Sequence, residues 1–156
     1  MKSFSVLSAI MLCLSVFGQS ENNLSMPTNT LQIELAKANS NNVTRIEIFF
    51  FPEDIATEFA VSPNDLEKVY WTKTIIADFK RTQFSSLLLH SLTESNIQPR
   101  NGKARDLRWG CVFFDSKGTR IMSLYFDQFG KGEVNGIQIE SNGKFLNLLR
   151  EKFALR

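Results

Sequence analysis

The second half of the sequence constrains the fold most, because three strand-like segments follow one another there with short connections. Residues 107–115 and 119–127 are rich in β-branched and aromatic side chains, and the turn between them, residues 116–118, ends in glycine, as many hairpin turns do. A loop at residues 128–133 leads to a third segment, residues 134–140. Parallel strands need crossovers of about a dozen residues or more, so these segments predict an antiparallel three-stranded meander.

Two further strands are predicted in the first half. Residues 43–51 carry β-branched and aromatic side chains and end at Pro52, which has no backbone N–H for a sheet ladder. Residues 71–79 are rich in Thr and Ile. Within the meander, residues 109–114 are apolar on both faces, which is typical of a central strand that is covered on both sides.

Two helices are predicted between these strands. Ser62, Pro63 and Asp65 form a helix start, with a capping hydroxyl, a proline at the first helical position and an acid near the positive end of the helix dipole. Residues 82–94 give the clearest amphipathic pattern of the chain, with Thr82 available as the cap. Apolar residues at this spacing form one helical face that packs on a core.

The two ends of the globular part also carry helical patterns. Leu31, Leu35 and Ala38 share one helical face, although the spacing of Leu31, Ile33 and Leu35 also fits a strand. Asn142 is placed to cap a last helix, whose apolar face is formed by Phe145, Leu148, Leu149 and Phe153. The sequence therefore predicts an α+β fold, with a mainly antiparallel sheet of about five strands and helices packed on it, including a C-terminal helix.

The N-terminal residues 1–20 resemble a secretory signal peptide. Lys2 gives a short positive region, the apolar run of residues 6–16 is too short to span a bilayer, and Gly18 and Ser20 are small residues suited to cleavage. Cleavage after residue 18 or after residue 20 fits equally well. The sequence predicts export to the periplasm or the extracellular space, then a flexible lead-in at residues 21–30 and one domain at residues 31–156.

Removal of the signal peptide also decides the cysteine chemistry. Cys13 leaves with it, so Cys111 becomes the only thiol and no internal disulfide forms. Cys111 lies in an apolar run, where a free cysteine is typically a small buried hydrophobe. A nucleophile or an intermolecular bridge is the alternative, but either needs an exposed thiol.

A cluster of cations in the loop at residues 95–106 and the strand after it is the candidate binding site. Four cations within nine positions are opposed only by Asp106 and followed by an aromatic residue; the predicted binding residues are Arg100, Lys103, Arg105, Arg108 and Trp109. Guanidinium groups pair with carboxylates in bidentate geometry, so the cluster suits a partner protein with an acidic surface. The alternative is a solvated loop with one internal ion pair, between Asp106 and Arg105 or Arg108.

No catalytic motif stands out, and no catalytic residue is assigned. His90 is the only histidine, and it lies off the centre of the apolar face of its predicted helix. The segment at residues 127–133 has the first acid and the glycine of a calcium loop, but Phe129 and Lys131 occupy positions that must supply oxygen ligands, so it is interpreted as a turn. No metal site and no cofactor are predicted.

These observations favour a small exported binding protein, of the inhibitor or immunity type, that acts in the cell envelope or outside the cell. An envelope-directed hydrolase is the first alternative, using His90 or carboxylates such as Glu53, Asp54, Glu58, Asp106, Asp115 and Asp127. A carrier of a small hydrophobic ligand is the second, suggested by the Phe-rich strands. The formal charge of +2 is too small to favour nucleic acid, no membrane span is predicted, and the oligomeric state is left open.

Overall fold

The computed structural model describes residues 28–40, 42–104 and 106–154. The predicted signal peptide and residues 21–27 of the predicted lead-in therefore lie outside the described residues. Over these ranges the chain forms four α-helices on one seven-stranded antiparallel sheet, which confirms the α+β class and the C-terminal helix. The helices are α1 Thr28–Ala36, α2 Pro63–Val69, α3 Gln83–Glu94 and α4 Lys144–Phe153.

The sheet has the strand order β2-β1-β4-β5-β6-β7-β3, and every described pairing is antiparallel. The strands are β1 Arg45–Phe50, β2 Thr72–Ile76, β3 Gln98–Pro99, β4 Trp109–Phe114, β5 Arg120–Phe126, β6 Lys131–Val134 and β7 Ile137–Glu140. Strands β4 to β7 follow one another in space as they do in sequence, as short hairpin connections dictate. The outer strands are β2 at one edge and the two-residue β3 at the other.

The sheet has more strands than the sequence pattern predicted, for two reasons. Strand β6 takes up residues 131–133 of the predicted loop together with Val134. A tight turn at Asn135 and Gly136 then divides the predicted strand of residues 134–140, so that only Ile137–Glu140 forms β7. Both turn residues have positive φ, 47° and 84°, the geometry of a two-residue hairpin turn that favours Asn-Gly. The other addition, β3, lies inside the loop predicted at residues 95–106, because Gln98 and Pro99 pair with the end of β7.

The first face of the sheet holds the main core. Helices α1, α3 and α4 cover it, with Leu31, Leu88 and Phe145 among their fully buried side chains. Trp109 and Phe113 of β4 point to this side, where Trp109 lies 4.3 Å from the ring of Phe50. Burial of large aromatic side chains such as these supplies much of the hydrophobic stabilisation of a small domain.

The second face of the sheet carries a smaller core under α2. Leu66 of α2 and Val61 pack against Val112 and Tyr125 of the sheet. Strand β4 is thus covered on both sides, as its continuous apolar run predicted. The cap of α2 is also confirmed: the Ser62 hydroxyl accepts from the Asp65 backbone N–H at 3.3 Å, and the Asp65 carboxylate accepts from the Ser62 backbone N–H.

The helices differ from their predicted limits only near their ends. Helix α1 and the 3-10 helix Lys37–Asn39 that follows it confirm the helical interpretation of residues 31–38 over the strand alternative, but α1 begins at Thr28, inside the predicted lead-in. Helix α4 begins after Gly143, and Asn142 accepts from the Lys144 backbone N–H at 3.1 Å. Within the described part of the chain, none of the helices has the length and apolar character needed to cross a membrane.

Candidate binding surface around the 51–62 loop

The loop of residues 51–62, which joins β1 to the cap of α2, is fixed from inside the protein by Arg108. Nη1 of Arg108 donates to the backbone oxygens of Pro52 and Ile55, both at 2.9 Å. Nη2 donates to the Asp106 carboxylate, and the guanidinium lies 5.2 Å from the ring centre of Phe51. Arg108 is only 4% exposed, so its charge holds the loop in place and is not presented to solvent.

Asp106 fixes the later part of the same loop. It has a positive φ of 60°, a conformation that Asp adopts more readily than most residues. Its Oδ1 atom accepts from the Thr57 hydroxyl at 3.2 Å and from the Val61 backbone N–H at 3.4 Å. The ion pair with Arg108 confirms the internal pair that the sequence offered as an alternative. The hydrogen bonds to Thr57 and Val61 join two loops that are 49 and 45 positions apart in sequence.

Glu53 ties the start of the loop to α4. Its Oε1 atom accepts from the Trp109 indole N–H at 2.8 Å and from Nε of Arg150 at 2.8 Å, while Oε2 accepts from Nη2 of Arg150 at 3.0 Å. Arg150 also donates to the backbone oxygen of Gln128 at 2.6 Å. The carboxylate therefore joins β4, α4 and the turn before β6 to the loop.

Helix α2, at the other end of the loop, is held to the sheet by Glu67. Its carboxylate accepts from the Tyr125 hydroxyl and, at 2.6 Å, from Nη2 of Arg120. Burial, together with the hydrogen bond to Glu67, raises the pKa of the Tyr125 phenol well above its usual range. The phenol is therefore a neutral hydrogen-bond donor under ordinary conditions.

Against this fixed framework, several large apolar side chains remain exposed on and beside α2. Phe59 is 77% exposed, Val69 51% and Trp71 59%; Tyr70 and Ile75 are also exposed. Three of them are consecutive in sequence, at the end of α2 and the start of β2. These five residues are called the apolar rim. Single exposed apolar residues are common, whereas a group of them on one part of the surface is a candidate interaction site.

Two depressions flank the loop. One is an open cleft of about 530 Å³ whose apolar lining includes Phe51, Phe59 and Val69, with the carboxylates of Glu58 and Asp65 at its margin. The other is a more polar groove of about 660 Å³, between residues 60–63 and the loop that carries Lys103. Residues 60 and 61 line both and form the ridge between them.

The five predicted binding residues do not form one exposed cluster among the described residues. Lys103 is exposed and lines the polar groove, whereas Arg100 is half-buried and its backbone N–H donates to the Gln138 carbonyl at 3.0 Å. Arg108 and Trp109 are buried and bound internally. Arg105 lies outside the described residues. Of the four that the structure describes, Lys103 alone is exposed, and the ionic contact remains a prediction.

The candidate catalytic acids mostly have structural contacts. Besides Glu53 and Asp106, Asp127 accepts from the backbone N–H groups of Phe129 and Lys131 at 2.8 and 2.9 Å, which confirms the turn predicted there. Asp115 likewise accepts from the Lys117 and Thr119 backbone N–H groups. The exposed imidazole of His90 lies 3.5 Å from Glu94. Over the described ranges, no group of three or more His, Cys, Asp or Glu residues could hold a metal ion.

The apolar rim is the feature that sequence reasoning missed. Phe59 and Trp71 are aromatic, like many residues of the core, so residue type alone could not show that these two side chains are exposed. One usable signal was present: the chain has no Lys or Arg between residues 46 and 67.

In comparisons with known proteins, no family model, no curated protein and no solved structure matches this chain.

Proposed function

We propose that this is a small exported, non-enzymatic binding protein that acts on another protein in the cell envelope or outside the cell. The observation that carries the proposal is the apolar rim, where Phe59, Val69, Tyr70 and Trp71 are exposed around α2. Tyr and Trp are enriched among the residues that dominate binding energy at protein interfaces. Burial of such a group against a partner removes apolar surface from water, which stabilises the complex.

The rigidity of the support also favours a binding role. Arg108, Asp106 and Glu53 hold the loop of residues 51–62 at both ends by hydrogen bonds. A surface that is already ordered loses less conformational entropy when it binds.

The signal-like N-terminus supports an extracytoplasmic location. The intact mass of the released protein tests it, because export predicts a chain that begins at residue 19 or 21.

A second contact is proposed at the polar groove. Lys103 is exposed there, and Arg100 precedes it on the same loop. A carboxylate on the partner would pair with Lys103, as the basic cluster suggested. Such a contact at the margin of an interface affects the association rate and its salt dependence more than the affinity.

Site-specific photo-crosslinking tests the proposal. A crosslinking side chain is placed at Phe59 or at Trp71, and the mature protein is exposed to medium and envelope fractions of the source cells. The proposal predicts a discrete crosslinked protein at both positions. The same side chain at Phe129, which is 74% exposed in the turn before β6, is the control and should give none. No discrete product at Phe59 and Trp71, or equal products at Phe129, would contradict the proposal.

A further inference from the structure

The apolar cleft beside α2 has an unbalanced charge. All six charged residues between positions 46 and 67 are acids. Three of them are neutralised within the fold: Glu47 by Lys73 at 2.8 Å, Glu53 by Arg150 at 2.8 Å and Glu67 by Arg120 at 2.6 Å. The other three, Asp54, Glu58 and Asp65, are exposed.

Of these three carboxylates, Glu58 and Asp65 belong to the cleft, and Lys68, three positions after Asp65, is close enough to act on its charge but forms no ion pair with it. Among the described residues, no Lys, Arg or His lies within ion-pair distance of Asp54, Glu58 or Asp65. Glu58 and Asp65 line the cleft, and no cation lines it. Arg108 is nearby in the fold but is buried and paired with Asp106. A negative potential at an apolar cleft attracts cations, because low-dielectric walls concentrate the field.

The hydrogen bonds of Asp65 keep its charge in place. Its carboxylate accepts from the hydroxyl and the backbone N–H of Ser62, which lowers the pKa of Asp65 below its usual value. The carboxylate therefore stays ionised and oriented at the start of α2. Glu58 directly precedes Phe59 in sequence, and both residues line the cleft. The cleft therefore combines an acidic and an aromatic side chain.

We infer that this cleft binds a cationic segment of the partner protein, one that carries an apolar side chain beside a Lys or Arg. The apolar side chain contacts Phe51, Phe59 and Val69, and the cation pairs with Glu58 and Asp65. An Arg side chain has the additional option of stacking on the exposed ring of Phe59. The inference rests on the proposed function and names the chemistry of the partner at this surface.

Binding of two labelled synthetic peptides to the mature protein tests the inference. Both peptides carry the same Leu and Phe residues, but the first has Lys and Arg at the remaining charged positions and the second has Glu and Asp. Fluorescence anisotropy should show binding of the cationic peptide only, and added salt should weaken it because exposed charges are screened. Equal binding of both peptides, stronger binding of the acidic peptide, or no binding of either would overturn the inference.

Matched variants assign the binding to the cleft. Phe59→Ala should weaken binding of the cationic peptide by about tenfold or more, because an interface anchor is lost. Phe129→Ala should leave the binding unchanged. Glu58→Gln should weaken it by about two- to fivefold, as for an exposed ion pair, while Glu140→Gln, which removes the same charge on β7, should not. Equal effects of each variant and its control would overturn the assignment.

The two proposals fail in different ways. If the crosslinks at Phe59 and Trp71 capture a partner but the cationic peptide does not bind, the binding function stands and the inferred chemistry is wrong. A dye whose emission rises in apolar sites is a further probe of the cleft. If it binds and neither peptide displaces it, the cleft is a small-molecule site and the inference is overturned.

Discussion

Single residues decide which of the charged side chains face a partner and which hold the fold together. Arg108 and Lys103 belong to the same basic cluster in sequence, yet Arg108 is buried and Lys103 is exposed. The difference arises because the backbone oxygens of Pro52 and Ile55, with Asp106, accept from the two terminal nitrogens of the buried guanidinium, whereas its Nε has no hydrogen-bond partner among the described residues. The planar guanidinium of Arg presents its N–H donors in a fixed fork, which suits acceptors held at set positions by the backbone.

Glu53 gives the first prediction at this scale. Glu53→Gln keeps an acceptor for the Trp109 indole N–H but removes the bidentate pair with Arg150. We expect the free energy of unfolding to fall by about 1–2 kcal/mol, since a charge-assisted hydrogen bond is stronger than a neutral one. Urea unfolding measures it. Glu58→Gln, at an exposed site without an ion pair, is the control, and a similar loss there would contradict the assigned role of Glu53.

Tyr125 gives the second prediction, which concerns the pH dependence of the unfolding free energy. Burial and Glu67 raise the pKa of its phenol in the folded state, whereas an unfolded tyrosine ionises near about pH 10. The resulting stabilisation is complete below about pH 10 and is lost as the pH rises toward the folded pKa. We expect the unfolding free energy of the native protein to decrease over this alkaline range, and Tyr125→Phe to lack that component. Parallel pH profiles of the two proteins would contradict the prediction.

At the scale of elements, two glycines of the β5–β6–β7 region are required for different reasons. Gly136 has a φ of 84°, and an added Cβ would meet nothing within 4 Å. Gly132 on β6 has no such φ, but an added Cβ would lie 1.7 Å from the Tyr125 backbone oxygen. The first glycine is required by backbone conformation and the second by the close approach of β5.

This contrast predicts two different losses of stability. Gly136→Ala should lower the unfolding free energy by about 1 kcal/mol, the cost of positive φ for a residue with a Cβ. Gly132→Ala should cost more than about 3 kcal/mol or prevent folding, because the backbone of β5 must move. Urea unfolding of both variants, with circular dichroism to verify the fold, measures the difference. Equal losses would contradict the assigned causes.

The limits of sequence prediction also follow from the elements. The helix at residues 82–94 and the strand at residues 109–114 could be predicted from the sequence. The helix buries one face and the strand buries both, and each pattern is long enough to show this. The division of residues 131–140 into β6 and β7 was readable from Asn135-Gly136 but was missed, because Val134, Ile137 and Ile139 were assigned to one strand across that turn. Strand β3 was not readable, since two residues give no periodicity and its pairing with β7 is made by tertiary contact.

The same reasoning explains what could be predicted of the candidate site. The basic cluster was visible as a run of charges, and the Asp106 ion pair was an open alternative. Which cations become buried depends on backbone oxygens more than 50 positions away, so local pattern could not decide it. Exposure of Phe59 and Trp71 depends in the same way on α2 covering only part of the second sheet face.

For the whole molecule, Cys111 is a built-in reporter of unfolding. It lies in β4, between β1 and β5 and under covered faces, and it is 1% exposed. Burial raises the pKa of its thiol far above the usual range, so the reactive thiolate is absent while the core is closed. Reaction with a thiol reagent therefore requires opening of the sheet, and no small local movement at the surface is sufficient.

This placement predicts that Cys111 is labelled only through the small fraction of molecules that is open at a given moment. In denaturant, a chain without residues 1–20 should give one reactive thiol, whereas the full chain, which retains Cys13, should give two. In native buffer, labelling of Cys111 should be slow, and its rate should rise with urea in parallel with global unfolding. Gly136→Ala should accelerate labelling by the factor that corresponds to its loss of stability, about fivefold for about 1 kcal/mol when reclosing outpaces labelling. Fast labelling without a change in stability would mean that β4 opens separately from the sheet, contrary to its burial between the cores on the two faces.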